Sequence, residues 1–305
     1  MTIRTAGHPS IAQRPGWLPV EEFPFVSRHL EIDGHRLHYV DEGSGPLLLL
    51  VHVGTWSFVW RDLIVALRDD FRCVTLDFPG GGLSVPADAY ETSIEEAADV
   101  LRAFVRRLGL DDATLVAHDL GGPVALLAFA GMPERVRGLV VAESFCWPLG
   151  VENAKVARML RLVGSRAVRA LDATTNVVAR MTSTSFGVGR HVSRPGRRAF
   201  RGPFRDRAVR GRMLAMLGAA GRSDETLARV EAVVRGPLAD RPVLLTFGAK
   251  SPAVKEGFPE RWRERLPQAG LLVVDGGHHF PMCDDPSLVA RAISGWYREE
   301  VAARP

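Results

Sequence analysis

The stretch Leu115–Leu126, LVAHDLGGPVAL, restricts the fold of this chain more than any other. A β-prone run, Ala113 to Ala117, meets an apolar segment at helical spacing, and only a small-x-acid-x-Gly turn separates them. That order reads as strand, sharp turn, helix. Strand and helix joined so tightly cross at close range, which demands small residues on both sides of the turn, here Ala117 and Gly121. The shape is that of a nucleophile elbow, with Asp119 where a serine is more usual. A carboxylate at a helix N-terminus also satisfies unpaired backbone N–H groups. The elbow by itself therefore leaves Asp119 as either a nucleophile or a cap.

The flanking sequence alternates strand and helix patterns. HLEIDGHRLHYVDEGSG reads as a hairpin turning at Asp33-Gly34, followed by the buried strand Leu47–Val51. A Trp-rich helix over Ser57–Leu67 leads to the strand FRCVTLD. TSIEEAADVLRAFVRRLGL predicts an amphipathic helix capped by Thr92 or Ser93 and ended by Gly109. After the elbow come the strand Val136–Glu143 and, later, the strands RPVLLTFG and AGLLVVDGG and the helix PSLVARAISGWYREEV. Strands separated by helices of this length predict a mostly parallel sheet covered on both faces. From Trp147 to Gly236 the pattern is helical without a convincing strand. The expected organisation is an α/β core over 1–146 and 237–305 with a helical cap, 147–236, inserted in it.

At 305 residues, 46% of them hydrophobic, the chain has the means to bury a full core. Its longest apolar run, Pro46–Val53, is far short of a bilayer span, and MTIRTAGHPSIAQRPG lacks a signal-peptide centre, so the expected location is the cytoplasm, with no membrane partner. Cys73, Cys146 and Cys283 are odd in number and unpatterned, as for reduced thiols. The Arg-rich run Arg194–Arg212 has no stacking platform or groove-reading motif beside it and reads as a solvated face rather than a nucleic-acid site. Nine histidines show no metal-ligand spacing, so neither a metal nor another cofactor is expected.

Six stretches in order, FPFVSRHLEIDGHRLHYVDEGSGP, TWSFVWRDLI, LDFPGGGLS, HDLGGP, FPERWRERLP and GGHHFPMCDDP, give the chain a resemblance to the α/β-hydrolase fold. Within that fold it is similar to the haloalkane dehalogenase and epoxide hydrolase families across nearly its whole length. The resemblance implies that Asp119 is the nucleophile. A carboxylate that attacks saturated carbon becomes an alkyl ester, which water then hydrolyses. The family's His-Phe-Pro-x-x-Asp-x-Pro pattern implies His279 as the base, since Asp284 and Pro286 fall at the expected spacing, whereas counting from His278 does not reach them. His52 and His118 match positions that shape loops in the family. Many hydrolases carry the orienting acid in a Gly-x-x-Asp turn, but here GAKSP puts Ser251 in that place. The other arrangement in such relatives implies Glu143, at the end of the strand after the elbow helix.

Two departures bear on the substrate. The dehalogenase Trp that follows the nucleophile is Leu120 here, and the loop HVGTWS has no Asn, so the usual halide donors are missing. Backbone N–H groups of Leu120 and Val53 or Gly54 still suit an oxyanion hole. The three tyrosines, Tyr39, Tyr90 and Tyr297, lie outside the helical segment from which epoxide hydrolases present theirs. The expected pocket is apolar, with Trp56, Phe145 and Trp147 near the nucleophile and Phe186, Phe200 or Phe204 beyond. The expected activity is hydrolysis of a small apolar substrate, an epoxide or other strained oxygen ring ahead of a haloalkane. A non-catalytic ligand-binding protein is the alternative.

Overall fold

A computed structural model describes residues 10, 11, 13–185 and 187–304. Among the described residues nine strands form one sheet: β1 (Ser10–Ile11), β2 (Arg28–Ile32), β3 (His35–Glu42), β4 (Leu47–His52), β5 (Arg72–Leu76), β6 (Ala113–His118), β7 (Val136–Ala142), β8 (Val243–Gly248) and β9 (Gly270–Val274). Their spatial order is β1-β2-β3-β5-β4-β6-β7-β8-β9. Pairing is antiparallel from β1 to β3 and between β3 and β5, then parallel from β5 through β9. The β2–β3 hairpin turns at Asp33 and Gly34, both with positive φ, the conformation a two-residue turn needs.

The central strands are apolar on both faces because both faces are covered. Leu47, Leu49 and Val51 of β4 enter one core with Leu115, Ala117, Leu139 and Val141, while Leu48 and Leu50 enter the other with Val116 and Val140. The first core is closed by the helices Ile94–Leu108, Gly121–Phe129, Asp224–Arg235 and Phe258–Arg265, and the second by Arg61–Leu67 and Pro286–Trp296. Ser93 caps the Ile94–Leu108 helix by accepting from Glu96 N–H at 3.1 Å, and Gly109 ends it in the left-handed region. Burying a Leu-sized side chain contributes about 1.5–3 kcal/mol, so these two layers outweigh any single surface contact.

Between β7 and β8 every described element is helical. The last of them, Asp224–Arg235, packs against the elbow helix Gly121–Phe129 and gives Leu227, Val230 and Val234 to the first core. The helices Ala154–Val163, Val177–Thr182 and Arg207–Ala220 instead supply walls to a cavity at the carboxyl ends of the parallel strands, where open α/β sheets place their ligands. Among the described residues no helix is long and apolar enough to cross a membrane.

Candidate active site

The site is built from chain reversals at the ends of neighbouring strands. Asp119 follows β6 and has φ +50°, and Glu143 follows β7 with the same φ. Non-glycine residues seldom adopt this region, so both conformations must be held by their surroundings. Asp119 N–H donates to Ala142 O at 3.2 Å, and the Ser144 hydroxyl donates to Asp119 O at 2.6 Å. The glycines that follow have no room for a side chain. A Cβ on Gly121 would lie 2.1 Å from Val51 O, and one on Gly122 would lie 1.9 Å from Ser144 Oγ.

Three side chains meet there. His279 Nε2 is 3.6 Å from Asp119 Oδ2, and its Nδ1 is 3.7 Å from Glu143 Oε2. Glu143 is fully enclosed, with Oε1 accepting from Gly248 N–H at 2.6 Å and Oε2 accepting from the Ser251 hydroxyl. Burial works against charge on His279, but the flanking Asp119 and Glu143 carboxylates outweigh it and raise its pKa to about 10. The resting ring is therefore an imidazolium between two carboxylates. The preceding residue, His278, is tied into the loop by its backbone. Its backbone N–H donates to Asp284 Oδ2 at 2.6 Å, so that carboxylate braces the loop.

A second histidine pair supports His279 from behind. His118 Nε2 lies 2.6 Å from His279 O, which only accepts, so Nε2 carries the proton. In the neutral ring Nδ1 is then bare, and His52 Nδ1 donates to it at 2.9 Å. Burial, reinforced by the charge on His279, pushes His118 well below its ordinary pKa. Burial likewise lowers His52 to about 4. His52 Nε2, buried as well, has no partner.

Above Asp119 opens a cavity of about 570 Å³. His52, Val53, Gly54, Asp119, Phe145 and His279 border it from the sheet side, and Val156, Leu160, Val163, Val178 and Leu217 from the helices above. The helical residues share no sequence motif, but Val156, Leu160 and Val163 fall at i, i+4 and i+7 of Ala154–Val163, a spacing that marks one face. Thr55, Lys155, Met159, Met213 and Glu256 also line the space and were not anticipated.

Several expected pocket residues lie elsewhere. Trp56 is buried away from the cavity because its ring N–H donates to Phe200 O at 2.9 Å. Trp147 is buried with its ring N–H bound to Asn153 Oδ1 at 2.8 Å. Phe200 and Phe204 pack into the second core instead of the cavity wall. Phe186 lies outside the described residues. Leu120, fully buried at the start of the elbow helix, is not a lining residue, whereas Val53 and Gly54 are.

Residues 46–286 match the model of the alpha/beta hydrolase fold family. The chain is 33% identical to haloalkane dehalogenase 2 of Mycobacterium tuberculosis over 89% of its own length and 94% of that protein's. It is 29% identical to the cis-3-alkyl-4-alkyloxetan-2-one decarboxylase of Shewanella oneidensis, covering 84% and 83% of the two chains. Among solved structures it superposes on haloalkane dehalogenase DbeA from Bradyrhizobium elkani with a TM-score of 0.78 at 25% identity, over 92% of this chain and all of the other.

Proposed function

Because this chain belongs to the α/β-hydrolase family, in its haloalkane dehalogenase/epoxide hydrolase-like branch, we propose that it opens a carbon–oxygen bond of a small, strained, apolar substrate through an ester on Asp119, in preference to a carbon–halogen bond. The observation that carries this reading is the line Asp119–His279–Glu143 beneath an apolar cavity that no Trp ring lines. A departing halide needs donors it can keep, and Trp56 and Trp147 have given their N–H groups to Phe200 O and Asn153 Oδ1. A ring oxygen needs one proton, which the His279 imidazolium supplies. The oxetanone named for the Shewanella relative is likewise a strained oxygen ring.

The steps balance without another reactant. An Asp119 oxygen attacks ring carbon, the carbon–oxygen bond breaks, and the new alkoxide takes the His279 proton. Esterification removes the Asp119 charge, one of the two that raised His279, so the neutral ring becomes a competent base. It takes a proton from water while the hydroxide attacks the ester carbonyl, and N–H groups of Leu120 and Val53 or Gly54 receive the oxyanion. Release of the alcohol restores the Asp119 carboxylate and the imidazolium. Glu143 holds the ring and offsets its charge throughout. The helices of 147–236 that roof the cavity act as the lid, 1–146 and 237–305 being the core beneath.

Trapping tests this reading. In His279→Gln the new alkoxide must take its proton from water, so the ester should form more slowly but then persist, raising the protein mass by the whole substrate for an epoxide or lactone and by the substrate less halide for a haloalkane. Peptide mapping should place the addition on Asp119. Tight binding of such compounds with no mass gain in either protein would support the ligand-binding alternative.

A further inference from the structure

Four of the five Leu and Met side chains exposed on the described surface fall between residues 159 and 181. Met159, Leu162, Leu171 and Met181 are each more than half accessible, at 53%, 65%, 58% and 65%. They belong to the consecutive helices Ala154–Val163, Arg166–Thr175 and Val177–Thr182, whose inner faces already bury Ala157, Leu160 and Ala179. A single exposed Leu is ordinary, but long apolar side chains turned outward on three successive helices are not.

The charge beside them is of one sign. Over the same helices stand Lys155, Arg158, Arg161, Arg166, Arg169 and Arg180, against one acid, Asp172, which is buried and paired with Arg210 at 3.2 Å. Residues 190–205 add six arginines and no acid. The whole chain carries only +4, so the positive charge is concentrated on this segment. The surface also reaches the cavity mouth, since Lys155 and Met159 are both exposed and cavity-lining, and Met181 adjoins the lining residue Thr182.

We propose that these three helices form a docking surface for an anionic lipid bilayer. Met159, Leu162, Leu171 and Met181 enter the boundary between headgroups and acyl chains, and Arg158, Arg166 and Arg180 meet the lipid phosphates. Apolar side chains rimmed by arginine are what such a boundary accepts. A second copy of the chain fits poorly, because two faces of the same positive charge would oppose each other. Nucleic acid would satisfy the arginines and leave the apolar side chains in water. The assignment replaces the expectation of no membrane partner with peripheral contact, and it does not depend on the chemistry at Asp119.

Flotation of the full chain with vesicles of phosphatidylcholine plus phosphatidylglycerol, and with phosphatidylcholine alone, reads the proposal directly. Binding should favour the anionic vesicles and weaken at ~0.5 M salt, where charges are screened within a few ångströms. The triple variant Leu162→Ser, Leu171→Ser, Met181→Ser should bind roughly tenfold more weakly. Arg158→Glu, Arg166→Glu, Arg180→Glu should bind roughly a hundredfold more weakly. All six positions are exposed, and an unchanged thermal melt verifies folding, so either variant stands if the other fails. Equal or absent binding to the two vesicle types would overturn the proposal. So would a serine variant that binds like the parent, or duplex DNA that displaces the vesicles.

Discussion

Ser251 donates its hydroxyl to Glu143 Oε2 while accepting from Ala253 N–H at 3.0 Å. The residue that stands where many hydrolases carry their orienting acid thus holds the Glu143 carboxylate, one strand away. Ser251→Ala removes a hydrogen bond to a buried charge, and turnover should fall roughly tenfold to a hundredfold with little change in KM. Glu143→Gln should cost about 10³-fold or more, mostly in ester hydrolysis. Single-turnover kinetics on the two variants checks both, and an unchanged rate in Glu143→Gln would move the orienting role elsewhere.

The alkaline limb should report His279. Its folded pKa, about 10, lies above the ordinary 6.5, so its contribution to stability is complete below pH 6.5 and lost as the pH rises through 10. Ring opening should decline over the same alkaline range, because the neutral ring has no proton to give. Asp119→Asn removes one of the two carboxylates and should return His279 toward its ordinary value. Histidine NMR titration of both proteins measures this, and coincident curves would remove Asp119 from the account.

Burial also lowers His29, to about 4, and His35, so the acid limb is shared between them and the site pair His52 and His118. Both are neutral in the fold and their pKa values are depressed, His52 to about 4. Stability present above pH 6.5 should therefore be lost as the pH falls toward 4, on the order of 3 kcal/mol for His52 alone. Denaturant titrations across that range should show the loss, and His52→Gln should reduce it by the His52 share.

Gly121→Ala should be more damaging than an ordinary helix substitution. Its Cβ would meet the Val51 carbonyl, which belongs to strand backbone and has no way to rotate aside. A fall in melting temperature of several degrees is expected, on the scale of about 1–3 kcal/mol for overpacking. A melt like that of the parent would show that β4 and the elbow helix have more freedom to separate.

The elbow, the hairpin and the alternation of strand with helix were legible because each is governed by neighbours within a few residues. Asp119, His279 and Glu143 were nominated through the resemblance, whose motifs lie at two strand ends and in one loop. The directions of Trp56 and Trp147 were not legible. The partner of Trp56 is a carbonyl 144 residues away, and Trp147 turns toward Asn153 instead of the space beside it. Nor did the sequence reveal which residues of the expected cap line the cavity, since Ala154–Val163 presents apolar side chains both inward, as at Leu160, and outward, as at Leu162. Periodicity names a face only when the other face is polar. Ser251 read as an empty position because a hydroxyl announces no partner until the opposing strand is known.

Under the proposed mechanism, Glu143 keeps the orienting carboxylate at the end of β7, inside the framework. The segment after β8 is left with two separable duties: Ser251 anchors the acid, and Pro252, Ala253 and Glu256 edge the cavity. Exchanging those three rim residues alters the opening without touching a reacting group. An engineer seeking new substrates therefore has a short, modular entrance to diversify, while the chemistry stays stored in the sheet.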